Sequence, residues 1–159
     1  MKEINFYKYN RIFGIIAGLF SFVIFSLTVE PTASYWDCAE YISTSAKLQI
    51  GHPPGAPLFQ MLGAIFSILA FDVTQIAYAV NMMSVTSSAL TIMFLFWSIS
   101  LIAKEILKVK EIVKVIEAIK IFGSSFLGSI TFTFTDSFWY NAVEAEVYAM
   151  ATLILALLF

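Results

Sequence analysis

The sequence has little charge, and this shortage excludes most classes of soluble protein. Only 13 % of its 159 residues are charged, 60 % are hydrophobic, and the mean hydropathy is +0.86. Soluble domains carry about 25 % charged residues. The chain is therefore expected to be an integral membrane protein, in contact with the lipid bilayer over much of its length.

Cysteine and the common binding motifs are also scarce. The single cysteine, Cys38, excludes an internal disulfide framework and a thiolate metal cage. The sequence has no glycine-rich phosphate loop, no zinc-finger spacing and no basic patch of the kind that binds nucleic acid. We therefore predict no nucleic-acid partner.

Long apolar runs predict where the chain crosses the membrane. A bilayer core of about 30 Å needs about 20 helical residues, and the runs predicted to span it are residues 12–29, 76–103, 121–135 and 147–159. A shorter apolar run at 58–71 predicts a helix at residues 57–71 that does not cross. The fold class is therefore all-α, a polytopic transmembrane helical protein. Because the chain stops about a dozen residues into its fourth run, we expect the N-terminal part of one larger membrane domain.

The segment between the second and third spans is basic. In residues 104–120, lysines and glutamates alternate with apolar residues at helical spacing, which predicts an amphipathic helix on the membrane surface. If residues 57–71 do not cross, this helix and the N-terminus share one side. Eight of the nine Lys and Arg residues then lie in the cytoplasm, as the positive-inside bias requires, and residues 30–75 form an outer loop.

The most polar stretch of the chain lies in that outer loop. A helix is predicted over residues 36–50, ending at Gly51 ahead of two prolines. Positions 37, 40, 44 and 47 would lie on one face of it, because they recur at helical spacing. They carry two carboxylates (Asp37 and Glu40), a hydroxyl and the ammonium of Lys47.

A second acidic, aromatic segment at residues 136–148 is predicted to reach the same side. On a helix, Glu144 would share a face with Asn141 and Tyr148, whereas Glu146 would point elsewhere. The spacing therefore favours Glu144 over Glu146 as a site residue.

Carboxylates beside a lysine at a membrane surface suit transfer of a group from a lipid-linked phosphate. One carboxylate would act as general base, and Lys47, with His52 as a second candidate, would bind the anionic phosphate. Trp36, Tyr41, Trp139 and Tyr140 would stack on sugar rings or form an ordinary interfacial aromatic belt. Several carboxylates could hold a divalent metal, but no spacing requires one, so no cofactor is predicted. The alternative is a lipid or solute transporter or flippase subunit without catalysis; it would place acidic residues inside the spans.

Two stretches resemble signatures of a known membrane family. They are YWDCAEYI with KLQIGHPPGAPLF, at residues 35–42 and 47–59, and FWYNAVEAEVYAM, at residues 138–150. The family was long described only as a domain of unknown function. It is now grouped with the GT-C glycosyltransferases, and its animal members are protein O-mannosyltransferases.

The resemblance implies a GT-C-like enzyme that moves a sugar, such as mannose, from a polyprenyl-phosphate donor to an acceptor hydroxyl. The acceptor would be protein Ser/Thr or a glycan. By position the catalytic carboxylate would be Asp37, with Glu40 as its rival. The expected location is a bacterial inner membrane with the active site on the outer, periplasmic face. The fragment is expected to be inactive alone.

Overall fold

The computed structural model describes residues 3–158, and within them the chain is mainly helical. This confirms an all-α polytopic membrane protein. The elements are β1 (Glu3–Asn5), α1 (Phe6–Thr28), α2 (Cys38–Lys47), α3 (Pro57–Ile68), α4 (Ile76–Ile106, after a 3₁₀ turn at Val73–Gln75), β2 (Ile112–Lys114), α5 (Val115–Thr133), α6 (Asp136–Val143) and α7 (Val147–Leu158). Phe159, the end of the fourth predicted span, lies outside the described residues.

Three of the described helices are long and apolar enough to cross a membrane. They are α1, α5 and the segment Val73–Ile106 that contains α4. Helix α1 alone, with 23 residues, is about 34 Å long at 1.5 Å per residue. Helices α6 and α7 meet at a bend of 111°. Helix α3 has 12 residues and is about 18 Å long, too short to cross.

Helix α1 packs closely against α4 because two glycines face that helix. A Cβ atom added at Gly14 would lie 1.9 Å from the Trp97 indole nitrogen, and one at Gly18 would lie 3.0 Å from the Met93 Cβ. The same indole N–H donates to the Asn10 carbonyl at 3.0 Å. The two small residues thus allow the close approach of the helices.

A two-stranded antiparallel sheet joins the N-terminus to the connection between α4 and α5. Glu3 pairs with Lys114, and Asn5 with Ile112. The predicted amphipathic helix over 104–120 is wrong here, because α4 continues to Ile106, Lys108 adopts a left-handed φ of 51°, and α5 already begins at Val115. In β2 only Val113 is buried, between two exposed neighbours, and this alternation is the pattern of a strand.

The sheet holds the two basic segments close together. Both strands lie at one end of the bundle, and the two long apolar helices between them, α1 and α4, run from that end to the other and back. This arrangement agrees with the placement of the two basic segments on one side of the membrane, which stays a prediction. We call the opposite end of the bundle, where α1 ends at Thr28, the site end.

Helices α2 and α3 form a helical pair at the site end. Their contact, together with the start of α4, buries Cys38, Ile42, Phe59 and Val80. Helix α2 is shorter than the predicted 36–50, because Leu48 takes the left-handed conformation (φ 48°) that ends it. The predicted stop at Gly51 is therefore wrong by three residues.

Candidate functional site

The loop after α1 is tied to two other helices by Asn81 and Glu30. The side chain of Asn81 on α4 is fully buried, and its amide donates to the Glu30 carbonyl at 2.7 Å and the Thr32 carbonyl at 2.9 Å. Its oxygen accepts a hydrogen bond from the Cys38 thiol at 3.8 Å. The Glu30 N–H donates to the Val143 carbonyl at 2.9 Å. Both ends of loop 30–37 are thus held in place.

Asp37, Glu40 and His52 come together at the start of α2. Glu40 accepts a hydrogen bond from the His52 backbone N–H at 2.6 Å, and its second oxygen lies 3.1 Å from His52 Nδ1. The other ring nitrogen, Nε2, lies 3.9 Å from Asp37 Oδ2. The turn that presents His52 is closed by a hydrogen bond from the Gly55 N–H to the His52 carbonyl at 2.8 Å.

The close contact of Glu40 with His52 shifts the pKa of both groups. The hydrogen bond from the His52 backbone N–H, followed by the one from its side chain, lowers the pKa of Glu40. The hydrogen bond and the charge of Glu40 raise the pKa of His52, to which Asp37 adds a smaller effect. Glu40 and His52 thus favour the charged forms of each other, as oppositely charged neighbours do.

Gly51 makes room for this contact. A Cβ atom at position 51 would lie 2.8 Å from Glu40 Oε1 and 3.1 Å from Gln60 Nε2. Gln60 in turn donates to the Thr44 hydroxyl at 3.3 Å, which connects α3 to α2 below the cluster. The glycine is needed for the close approach of the Glu40 carboxylate.

Asp37 differs from Glu40 because its carboxylate makes no hydrogen bond and only faces His52 Nε2, at 3.9 Å. Asp37 occupies the N-cap position of α2, yet its side chain makes no capping hydrogen bond. About half of that side chain is exposed, 53 %. Within residues 3–158, both Glu40 oxygens contact His52, whereas the Asp37 carboxylate has no hydrogen-bond donor.

The structure does not bring Lys47 to this cluster. Lys47 is the last residue of α2 and is exposed, about 15 Å along the helix from Asp37 at 1.5 Å per residue. It forms no ion pair with any residue between positions 3 and 158. Its predicted role at the donor phosphate remains a prediction.

The second acidic segment is bent, so the helical spacing used to choose Glu144 does not apply. Residues 144–146 separate α6 from α7, and Glu144 has an extended backbone. The Glu144 carboxylate accepts a hydrogen bond from the Ser34 hydroxyl, while Glu146 is buried and only 8 % exposed. Burial, then the charges of Glu144 and Asp37, raise the pKa of Glu146.

Tyr41 marks the point where the two segments meet. Burial raises the pKa of its hydroxyl, and the charges of Glu146 and Asp37 add to this effect, with smaller effects of Glu40 and Tyr148. The predicted role of Tyr148 in substrate binding stays a prediction. The Asn141 amide instead donates to the Ser137 carbonyl of its own helix at 2.6 Å.

A cavity of about 810 Å³ lies beside the cluster, between loop 30–36 and α6. We call it the loop cavity. Its main lining residues are two acids, a serine and three aromatics, namely Glu30, Ser34, Tyr35, Trp36, Tyr140 and Glu144. Trp36 is held at a left-handed φ of 60°, which costs a non-glycine residue about 1–2 kcal/mol. Strain of this kind is often found at functional sites.

Asp37, Glu40 and His52 could also hold a divalent cation. One ligand atom from each lies within 4.8 Å of the others, and carboxylates with an imidazole suit several divalent metals. Exposed acidic groups also cluster without an ion, so the sequence-based expectation of no required metal stays a prediction.

Sequence reasoning missed Asn81 as a site residue and set Glu146 aside in favour of Glu144. Asn81 carried one signal, because an amide within an apolar run indicates a helix face that contacts protein. Glu146 carried none, since its burial depends on the bend between α6 and α7.

Comparison of the sequence with known proteins assigns the segment that forms this site to a family. Residues 37–159 match the Protein O-mannosyl-transferase TMEM260 N-terminal domain. The Protein O-mannosyl-transferase tmem260 of Dictyostelium discoideum is 26 % identical over 137 residues, which cover 86 % of this chain and 15 % of that protein. Protein O-mannosyl-transferase TMEM260 of Mus musculus is 25 % identical over 135 residues, which cover 85 % of this chain and 17 % of that protein.

The chain thus spans only 15–17 % of the length of these curated relatives. No solved structure matches it. The family match includes the whole Asp37–Glu40–His52 cluster, the loop-facing residues of α6 and all helices from α2 to α7. Because it covers most of the chain, this chain belongs to the Protein O-mannosyl-transferase TMEM260 N-terminal domain family.

Proposed function

We propose that the chain forms part of a protein O-mannosyltransferase, which moves mannose from a polyprenyl-phosphate donor to a Ser or Thr hydroxyl. The observation that carries this proposal is the Asp37 carboxylate, which accepts no hydrogen bond within residues 3–158 and lies beside the Glu40–His52 pair, in the segment that matches the family. The two curated relatives have protein O-mannosyl-transferase in their names. A GT-C architecture for the longer protein is part of the proposal.

In the proposed reaction Asp37 is the general base. It takes the proton of the acceptor hydroxyl, whose oxygen attacks the anomeric carbon of the sugar. The bond between that carbon and the phosphate oxygen breaks, and the phosphate leaves with the bonding electron pair. Glu40 is a positioning residue, because both of its oxygens hold His52.

His52 is better placed than Lys47 to stabilise the departing phosphate. Its ring lies at the cluster and its raised pKa keeps it protonated over a wider pH range, so it offers a positive charge where negative charge develops. Lys47, at the far end of α2, is the second candidate for a donor contact. Replacing His52 by Gln should therefore raise the KM for the donor more than Lys47→Gln does.

The site end is proposed to face away from the cytoplasm. Basic residues concentrate around the β1–β2 sheet at the other end, in residues 8–11 and 104–120, and cytoplasmic segments carry such an excess. In a bacterium the site would lie on the periplasmic face of the inner membrane. The transporter alternative has no comparable support, because neither residues 12–29 nor 76–103 contain an acidic residue.

The test uses the purified full-length protein that carries this chain. Transfer of labelled mannose from polyprenyl-phosphate mannose to a threonine peptide is measured for the unaltered protein and for Asp37→Asn. Because general-base catalysis contributes about 10²–10⁴-fold, kcat should fall by about that factor. Asp136→Asn is the control, since Asp136 is an exposed carboxylate at the same end.

Glu40→Gln separates the two acids of the cluster. As a positioning residue, Glu40 should affect the donor KM and the pH profile more than kcat. Near-normal transfer by Asp37→Asn, with a large loss of kcat in Glu40→Gln, would exchange their roles. No transfer by the unaltered protein would refute the proposed function itself.

A further inference from the structure

The loop cavity lies close in the chain to the proposed base, but unlike the Asp37–Glu40–His52 cluster it has no basic residue in its lining among residues 3–158. Trp36 lines the cavity and directly precedes Asp37 in the chain. At about 810 Å³ the cavity is within the 300–1,000 Å³ range of ligand pockets and offers far more space than one hexose needs. Asp37 itself is not among the lining residues, so a ligand in the cavity would have to extend past Trp36 to bring a hydroxyl to it.

The charges of the cavity are all of one sign. Glu30 and Glu144 line it, and no Lys, Arg or His from residues 3–158 does so. Each carboxylate uses one oxygen internally: Glu30 Oε1 accepts from Thr32, and Glu144 Oε2 accepts from Ser34. The second oxygen of each has no hydrogen-bond partner in the part of the chain that the structure describes. An anionic phosphate would be repelled here, whereas a cation would be attracted.

Three exposed aromatic rings complete the lining. Tyr35 is 86 % exposed, Trp36 91 % and Tyr140 69 %. The faces of such rings attract ammonium and guanidinium groups. Trp36 is presented in spite of its left-handed backbone, which a glycine would adopt without steric cost. The rings and the two acids together match a polypeptide segment that carries a positive side chain.

We infer that the loop cavity binds the acceptor polypeptide and selects a lysine or arginine next to the accepting Ser or Thr. This inference rests on the proposed function. The donor phosphate then occupies the His52 side of Asp37, and the two substrates approach the base from opposite sides. The cavity could instead bind the donor sugar-phosphate or face the bilayer surface, and the experiments below distinguish these two alternatives from an acceptor polypeptide.

The first measurement is binding, which does not depend on catalysis. A short peptide with one threonine followed by lysine, and its twin with glutamine in place of lysine, are titrated without donor. Tryptophan fluorescence of the full-length protein in nanodiscs reports the binding. The two partly exposed carboxylates should favour the lysine peptide by about 3- to 10-fold, and the preference should weaken with salt.

Isosteric variants of the two lining glutamates test whether these residues cause the preference for the lysine peptide. Glu144→Gln and Glu30→Gln should each reduce the preference for lysine without changing the affinity for the glutamine twin. Asp136→Asn, which removes a charge at the same end but outside the cavity lining, should leave the preference intact. Equal binding of the two peptides to the unaltered protein, or equal loss in all three variants, would overturn the inference.

A pair of glycine variants tests the role of the Trp36 ring. Trp36→Gly and Leu48→Gly each relieve a left-handed backbone, so neither should lower Tm. Only Trp36→Gly should weaken peptide binding, measured here by isothermal titration. Quenching of Trp36 by brominated lipids, unchanged by either peptide, would assign this surface to the bilayer and overturn the inference.

Transfer kinetics separate this inference from the function on which it rests. If mannose reaches both peptides with the same kcat/KM, the acceptor inference fails and the proposed function survives. If the peptides bind with the expected preference but neither receives mannose, the proposed function fails while the binding site stands. A change in the donor KM in Glu144→Gln would place the donor in the cavity and refute the inference.

Discussion

Replacing Asn81 tests whether the site loop is held from within the helix bundle. Asn81→Leu keeps a similar volume but removes the two N–H donors that reach the Glu30 and Thr32 carbonyls. A carbonyl left without a partner costs about 1–3 kcal/mol when buried. These carbonyls are only partly buried, so we expect the closed loop to lose about 2–4 kcal/mol in total.

Hydrogen exchange measures this loss directly, because amides of the loop exchange when it opens locally. Each 1.4 kcal/mol is a factor of ten, so exchange in a peptide covering residues 30–38 should accelerate by about 30- to 1,000-fold. Asn81→Asp should be at least as disruptive, since it places a carboxylate against the two carbonyl oxygens. Transfer activity should fall in both variants.

Ser84 provides the matched control on the same helix. Its hydroxyl is buried and has no hydrogen-bond partner in the described residues, so Ser84→Ala should leave loop exchange unchanged. If Asn81→Leu leaves exchange in residues 30–38 at its original rate, the loop is held by other contacts. Equal acceleration in Ser84→Ala would mean that the variants loosen the helix in general.

Three further predictions concern the cluster and the topology. The stability that the Glu40–His52 pair contributes should be complete between about pH 4.5 and 6.5. It should decrease when the pH drops through the lowered pKa of Glu40, and also when the pH rises through the raised pKa of His52. When Tm is measured against pH, both decreases should be absent in Glu40→Gln. Gly51→Ala should displace the flexible Glu40 carboxylate, so that transfer activity falls while Tm changes little. A normal donor KM in this variant would contradict the positioning role given to the Glu40–His52 contact. A membrane-impermeant thiol reagent applied from outside should label a cysteine at Ser34 but not one at Lys110, and labelling of both would refute the proposed sidedness.

The helices were predictable because apolar runs carry their own signal. The runs at 12–29 and 76–103 cover most of α1 and α4, and the short run at 58–71 covers most of α3 and extends three residues past its end. The sheet was not predictable, since each strand has three residues and its partner lies more than a hundred residues away. Pairing at such a distance leaves no local pattern beyond the alternation around Val113.

The candidate site was predictable in part for the same reason. Asp37, Glu40 and His52 lie within sixteen consecutive residues, and the polar composition of that stretch indicated a site. The choice between Glu144 and Glu146 depended on a continuous helix, but the chain bends by 111° between α6 and α7. Lys47 was placed near Asp37 by its helical phase, yet ten residues of helix separate the two side chains along the axis.

The pairing of β1 with β2 also restricts the order in which the protein can be assembled in the membrane. Glu3–Asn5 leave the ribosome long before Ile112–Lys114, so the first strand stays unpaired until α1 and α4 have both been inserted. A crossing by α3, or a failure of α4 to cross, would leave the strands on opposite sides of the bilayer. The sheet can therefore close only after an even number of crossings, so its pairing reports that α1 and α4 are both inserted.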